Sequence, residues 1–416
     1  MSETLKKPED ISPINKQMDE AKADLRRQLQ SYLDSTPRTD RKTNEFEIRF
    51  GTKSYGHFRP ISKTDYDNVV KQLKTAGFYS TNEGGEQLLR ITPEFKNPKT
   101  GEDILSNIRA EIIGIHLIQG YCETNDINKL IEKNKNSGRG IGFTQKMGQK
   151  GADERYLKKI DFPDMNFRAS WQVESTYSVR SPSIQSMLSS WGDSKKAFRY
   201  MNRVRFQHAT LPVFADLSIV RSSMTRRGKF GSVPIPEYTI QKANVFKNPV
   251  VYEIEFEIDN SMVGPGTAYS GDVDKLLADL RKCIRIVLSG IQQSNYPITY
   301  SERERVLKTY EKILYSKKDE SDSDSESESG EETGEKGEKG EKDKKEQQNK
   351  DTKKKRIPFI GPSSVPLQIE NIIEVEYDDN MAVPNIRYNY TVTEKADGER
   401  ALLLVNEEGL IYFMDK

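Results

Sequence analysis

Residues 251–259 read VYEIEFEID, and residues 44–50 read NEFEIRF. In an extended strand alternate side chains share a face. Glu253, Glu255 and Glu257 therefore oppose Ile254, Phe256 and Ile258, while Glu45, Glu47 and Arg49 oppose Phe46, Ile48 and Phe50. Each strand has one acidic and one apolar face. A half-buried antiparallel sheet with its charged side in water accounts for either run taken singly. Two such runs ask for more. Carboxylates in a row repel unless a cation lies between them, and Glu is a poor strand former, so a merely solvated face would more readily use Thr, Lys or mixed signs. Oxygen ligands of this kind suit Mg²⁺ or Mn²⁺, which keep several waters and accept phosphate oxygens in their open positions.

Outward from these runs, residues 43 to 260 continue in short alternating stretches: IRAEIIGIHLI, FRASWQVEST, NRVRFQ and FADLSIVRSS, separated by Gly, Pro, Asn and Asp clusters. This predicts a strand-rich domain. Basic residues fall on the same kind of segment: Arg109, Lys146, Arg168, and the pair Arg203 and Arg205, which share one face by the same alternation. Singly, each reads as a surface or nucleic-acid-backbone contact. Guanidinium forks match phosphate oxygens, and a cluster of them beside a metal is what phosphoryl transfer needs to neutralise charge on the moving group. Acidic and basic rows on one face, with apolar residues on the other, describe a barrel lined with charge and wrapped by hydrophobic packing.

Helices are predicted at the domain's edges. Ile14, Met18, Ala21, Leu25, Leu29 and Leu33 recur at helical spacing ahead of Pro37, Val69, Val70 and Leu73 mark an insert after Ser62, and Leu276 to Leu288 mark another before SERERVLKTYEKIL near residue 301. Residues 317–356 hold no aliphatic or aromatic side chain and cannot offset the entropy of ordering, so they read as a charged linker whose acidic half precedes its basic half. The expected division is therefore a tail and helix over 1–36, a strand-rich domain over 37–316, the linker over 317–356, and a further domain's beginning over 357–416.

Composition narrows the class. The 65 Lys+Arg against 64 Asp+Glu leave a formal charge of +1, so attraction to RNA has to come from local patches. Cys122 and Cys283 lack CxxC spacing, and His57, His116 and His208 are scattered, which supports neither a zinc site nor a disulfide framework and fits a reducing compartment. No stretch approaches the roughly 18 apolar residues a membrane span needs, and an intracellular protein is expected. The Gly-rich SGRGIGFTQKMGQKG lacks the spacing of a phosphate-binding loop and reads as a flexible hairpin loop, and Trp171 and Trp191 read as packing.

The ExE near the start, the Arg-rich strands, FADLS and the closing YEIEFE resemble the triphosphate tunnel metalloenzymes, specifically the RNA triphosphatase modules of capping enzymes from fungi and large DNA viruses. The resemblance covers roughly residues 43 to 315. It implies an α+β architecture around an eight-stranded antiparallel tunnel that hydrolyses the γ-phosphate of 5′-triphosphate RNA. By position, Glu45, Glu47 and Glu257 would hold the metal, with Glu253 and Glu255 in support. Arg109, Lys146, Arg203 and Arg205 would grip the phosphates, with Arg168 beside them. Glu174 is placed like the family's water-orienting carboxylate and Asp216 like an acid supporting the site. Where fungal members carry a basic residue two before Arg203, this chain has Met201, so that contact is missing or supplied elsewhere.

Downstream, EKADGER presents Lys395, Asp397, Gly398 and Arg400. Alone, this is a DG hairpin turn with an exposed lysine. With FIGP ahead of it and ALLLV and GLIYFMDK behind, it resembles the first motif of capping guanylyltransferases and DNA ligases. The resemblance implies that Lys395 takes the guanylyl group from GTP and that Arg400 contacts ribose or phosphate, while the run itself reads as a strand, a tight turn and two more strands. The later motifs of that superfamily do not appear, so this stretch is expected not to complete guanylyl transfer, and a methyltransferase partner or further domain would be consistent with a capping polypeptide, placed in host cytoplasm or virion if viral. A polyphosphate- or nucleotide-cleaving tunnel enzyme, and a non-catalytic RNA-binding β-domain fused to a ligase-like nucleotidyltransferase, are the competing readings. Oligomeric state is not legible.

Overall fold

The structure, a computed structural model of the chain, describes residues 13–35, 38–39, 42–51, 59–80, 82–134, 140–228, 231–315, 359–360, 366–374, 383–392, 394, 398 and 401–414. The chain forms two compact units, Met1–Thr299 and Tyr300–Lys416.

Eight strands of the first unit make a barrel: β1 (Lys42–Phe50), β2 (Glu86–Lys96), β3 (Ile108–Ile113), β4 (Ile141–Gly148), β5 (Phe167–Thr176), β6 (Lys196–Gln207), β7 (Val213–Ser222) and β8 (Val251–Ile258). Their order is β1-β8-β7-β6-β2-β3-β4-β5, every neighbouring pair is antiparallel, and β5 pairs back onto β1, which closes the ring. Closure satisfies the backbone of both would-be edge strands. The eight-stranded antiparallel tunnel expected from the sequence is the fold observed.

The side-chain alternation then decides what lies inside. Phe46, Ile48 and Phe50 of β1, and Ile254, Phe256 and Ile258 of β8, are each at most 2% exposed, and they point outward. They meet the helices α1 (Pro13–Leu33), α2 (Lys63–Thr75) and α6 (Val273–Gln292) in one apolar layer that includes Leu29, Tyr32, Val69, Leu73, Leu276 and Val287. Helix α2 starts where its sequence says it should: Ser62 and Asp65 form a reciprocal capping box that satisfies two otherwise orphaned backbone donors. A second apolar layer covers the opposite flank. There Leu89 and Ile91 of β2, Ala110 and Ile112 of β3, Phe143 and Phe198 pack under α3 (Ile115–Thr124), α4 (Ile127–Lys133) and α5 (Pro182–Ser189). Trp171 and Trp191 are buried packing residues, as expected.

Several sequence readings change. IRAEIIGIHLI is not one strand: Gly114, at φ +95°, ends β3 and caps α3, which buries Ile118 and Tyr121. The glycine-rich run read as a loop is, from Ile141 to Gly148, barrel strand β4, whose Gly142 and Gly148 tolerate an extended backbone between β3 and β5. The three helices of the second layer carry too few turns to show a clear periodicity in sequence.

In the second unit, helix α7 (Tyr300–Tyr315) buries Val306 and Tyr310 against Leu404 of a hairpin formed by Leu402–Val405 and Ile411–Met414. These are the two strands expected after the EKADGER turn. The strand expected before it is not formed over the described residues 383–392. No strand among the described residues pairs with that stretch, and an unpaired strand is not self-sustaining. The linker reading of 317–356 lies outside the described residues.

Candidate functional site: the lumen of the barrel

Because the apolar residues of the strands turn outward, their partners at period two turn in. The lumen is a cavity of about 680 Å³ lined by eight carboxylates and seven basic side chains. Glu45, Glu47, Arg109, Lys146, Glu174, Arg203, Arg205, Asp216, Glu253, Glu255 and Glu257 all line it. So the strands that are distant in sequence bring the acidic and basic rows to one space.

Register sets which charges meet. On β1 and β8 Glu47 stands across from Glu257, and Arg49 across from Glu255. Arg49 reaches the carboxylates of Glu253 at 2.6 Å and Glu255 at 3.2 Å, and Arg199 of β6 also binds Glu253. Lys146 of β4 projects to the other acids: its Nζ lies 2.6 Å from a Glu45 oxygen and also donates to Glu47. On β6 and β7, Arg205 donates to both oxygens of Asp216 at 2.7 Å and to Glu257 at 2.7 Å, with its guanidinium over the Phe214 ring. Arg203 bridges Asp216 and Glu86. A third group links β2, β3 and β5: Glu111 accepts from Arg90 at 2.7 Å and from Arg109 at 2.9 Å, and Arg109 donates onward to Glu174 at 3.0 Å.

Packing charges this densely away from bulk water perturbs them. Burial pushes the Glu257 carboxyl up to about 7, with Arg205 opposing and Glu45 and Asp216 reinforcing the shift. Burial also raises Glu47, against the pull of Lys146, and raises Glu174, helped by Glu45 and Glu111. Glu255 differs: burial would raise it, but Arg49 and Lys146 outweigh that and hold it low. Arg49 and Lys146 are held firmly protonated, burial being outweighed by the acids around them. Along β1 and β8, burial thus outweighs the neighbouring cations at Glu47 and Glu257, and the cations outweigh burial at Glu255.

Could these residues take a metal? Among the described residues no three His, Cys, Asp or Glu side chains converge closely enough to hold an ion as they stand. The Lys146 ammonium reaches into the space between Glu45 and Glu47. The donor set still fits a hard divalent cation: it is all carboxylate oxygen, it lines an open lumen, and Glu47 and Glu257 stand across from each other on neighbouring strands.

Other expectations need amending. Arg168 is not among the residues lining the lumen; it is held by Asp161, with one Nη2 to Oδ2 contact of 2.8 Å. Asp216 is the partner of Arg203 and Arg205 and is itself buried. Met201 does face the lumen, where it forms a small apolar patch with Leu88 and Val220. Two residues earlier on the same face, Arg199 lines the lumen and binds Glu253. Arg49, Arg90, Glu111 and Arg199 went unassigned in the sequence, although Arg199 lies on the Arg203 face two further steps back along β6. Lys395, Asp397 and Arg400 lie outside the described residues, and Gly398 is exposed.

No family model and no curated protein matches the sequence. Among solved structures, the triphosphatase of the Mimivirus capping enzyme superposes with a TM-score of 0.38 at 17% identity, over 65% of this chain and 97% of its own. The Pct1 RNA triphosphatase of S. pombe gives 0.32 at 12% identity, over 71% and 100%. The PH1819 protein of Pyrococcus horikoshii gives 0.24 at 11% identity, over 58% and 89%. With identities and scores this low, function has to be read from the lumen's own side chains.

Proposed function

We propose that the first unit is a metal-dependent RNA 5′-triphosphatase, which removes the γ-phosphate from 5′-triphosphate RNA as the first step of mRNA capping. The observation that carries this reading is the lumen itself: a row of glutamates on β1 and β8 faces basic side chains from β3, β4 and β6 inside a closed ring. A surface for RNA backbone alone would need the cations and not the aligned acids.

In this reading Glu45, Glu47 and Glu257 hold Mg²⁺ or Mn²⁺, with Glu253 and Glu255 anchoring Arg49 and Arg199 beside them. When bound, such an ion polarises phosphoryl oxygens and offsets charge that develops on the transferred group. Arg109, Lys146, Arg203 and Arg205 grip the phosphates, and Asp216 keeps the two β6 arginines extended toward the lumen. Glu174, fixed by Arg109, orients the attacking water. The water oxygen bonds to the γ-phosphorus as the bridging P–O bond breaks, which yields inorganic phosphate and diphosphate-ended RNA. Arg90 and Glu111 hold Arg109 in place.

For the second unit we propose a role in GTP-dependent guanylyl transfer, with Lys395 as the residue that takes the nucleotide. The support is the EKADGER motif and the two strands that follow it.

The test is release of labelled γ-phosphate from triphosphate-ended RNA by purified protein, with Mg²⁺ or Mn²⁺ and with chelator, beside ATP and tripolyphosphate. Metal-dependent release from RNA supports the reading. Salt-sensitive RNA binding with no hydrolysis under any metal would replace it with a binding module, and a strong preference for tripolyphosphate or ATP would move it to another tunnel hydrolase.

A further inference from the structure

After β7, at the end of the barrel where Ser222 faces Arg199, the chain makes a small hairpin from Thr225–Gly228 and Gly231–Pro234. Thr225, Ser232 and Pro234 line the lumen. Antiparallel pairing places Thr225 opposite Pro234 and Arg227 opposite Ser232. Residues directly opposite share a face, as do residues two apart. All four therefore lie on the hairpin face turned to the tunnel mouth, while Arg226 and Val233 lie on the other.

Arg227 differs from the basic residues within. Every basic side chain that lines the lumen is within ion-pair distance of a carboxylate. Arg227 is exposed, and among the described residues it makes no ion pair. An unpaired guanidinium at the mouth of a tunnel whose own cations are all paired is a cation with its binding capacity unspent. The ligand it suits is an anion that continues out of the tunnel rather than one contained in it.

We propose that Arg227 and its hairpin face form a backbone-binding site for RNA, engaging a phosphodiester beyond the 5′-triphosphate and favouring RNA over free nucleotides. The proposal rests on the triphosphatase reading and deepens it, since it assigns substrate length preference to a residue outside the hydrolytic lumen. A single guanidinium–phosphate contact weakens with salt in a set way: each backbone phosphate engaged on a single strand adds about 0.7 to the slope of log affinity against log salt.

The experiment compares wild type, Arg227→Ala and, as a control on the opposite face of the same hairpin, Arg226→Ala. Binding of a fluorescent triphosphate-ended oligonucleotide RNA is measured across salt, and hydrolysis of that RNA and of tripolyphosphate is followed in parallel. Arg227→Ala is expected to weaken RNA binding about three- to tenfold and to lower the salt slope by about 0.7. Tripolyphosphate hydrolysis by this variant should stay within twofold of wild type, and Arg226→Ala should leave both readouts near wild type. An Arg227→Ala variant with unchanged RNA affinity and salt slope would overturn the proposal while leaving the triphosphatase reading intact. An equal loss in both Arg variants would overturn it too, by assigning the effect to general surface charge. Wild-type protein that hydrolyses neither substrate would instead overturn the reading beneath it.

Discussion

Glu47 and Glu257 stand directly opposite each other on neighbouring strands, both inside the barrel, and burial raises the proton affinity of each. Two half-buried acids set face to face are costly unless something positive joins them. Lys146 serves Glu47 and Arg205 serves Glu257, yet the shifts remain upward. On the proposed triphosphatase reading a divalent cation binds there and stabilises the fold by mass action. Mg²⁺ or Mn²⁺ at millimolar concentration is expected to raise the melting temperature by several degrees, as a two-kcal/mol gain does in roughly this size range. Glu47→Gln and Glu257→Gln should each abolish that rise and cut γ-phosphate release at least about a hundredfold. A full metal-induced shift in both variants, read by thermal melting, would remove these residues from the ligand set.

Chelation should separate activity from structure. The apolar layers lie outside the ring and contain no metal-ligating cluster. EDTA is expected to stop hydrolysis while far-ultraviolet circular dichroism and the cooperativity of melting stay as before. Unfolding on chelation would show that the ion is structural.

Neighbouring positions on β1 should behave oppositely. Ile48 is 1% exposed against the helices, and Glu47 points the other way. Ile48→Ala is expected to cost about 2–5 kcal/mol of stability through the cavity it leaves, measured by urea denaturation. Glu47→Ala should lose catalysis with little loss of stability. The contrast tests the facing of the strand itself.

Gly290 sits in α6 where a Cβ would come within 2.8 Å of the Val69 Cα in α2. Ala is ordinarily the better helix residue by about 1 kcal/mol, but here the two helix backbones would have to separate. Gly290→Ala is expected to lower the melting temperature, and a higher one would show that the contact is looser than described.

Lys196 is 1% exposed, donates to the Ser194 carbonyl at 2.6 Å and lies over Trp191, and burial lowers its pKa to about 8. Between that value and the unfolded lysine's ordinary range near 10.5, the unfolded chain binds the extra proton, so stability should rise with pH across this window. Lys196→Met should flatten the rise and stabilise the protein at pH 7 by roughly 1–3 kcal/mol. Urea titrations at pH 7, 8 and 9 would check both, and a pH-independent difference would refute the assignment.

The facing of β1 and β8 was legible because strand geometry repeats every two residues, and both runs spell that period without interruption. Lys146 was legible as a basic phosphate contact although its glycine-rich run also read as a loop, and its partnership with Glu45 and Glu47 depends on β4 and β1 both flanking β5, which no local pattern specifies. The same holds for Arg90 and Glu111: EQLLRIT sets Leu88 beside Leu89 and so does not spell the period, and a lone arginine there carries no signal until β2 is placed between β3 and β6. Arg168 shows the converse, since its sequence setting matched the lumen arginines and a local acid, Asp161, claims it. Glycines in β4 misled because they punctuate loops more often than barrel strands.

Closure of the ring by the β1–β5 ladder also restricts how anything arrives. A wall hydrogen-bonded along its full circumference has no seam, so a polymer cannot be laid in from the side and must be threaded tip first. An internal stretch of a long strand, or a strand with no free tip, has no route to Glu47 and Glu257. For a polymer substrate, selectivity for chain ends would then need no dedicated recognition residue; it would be a matter of topology.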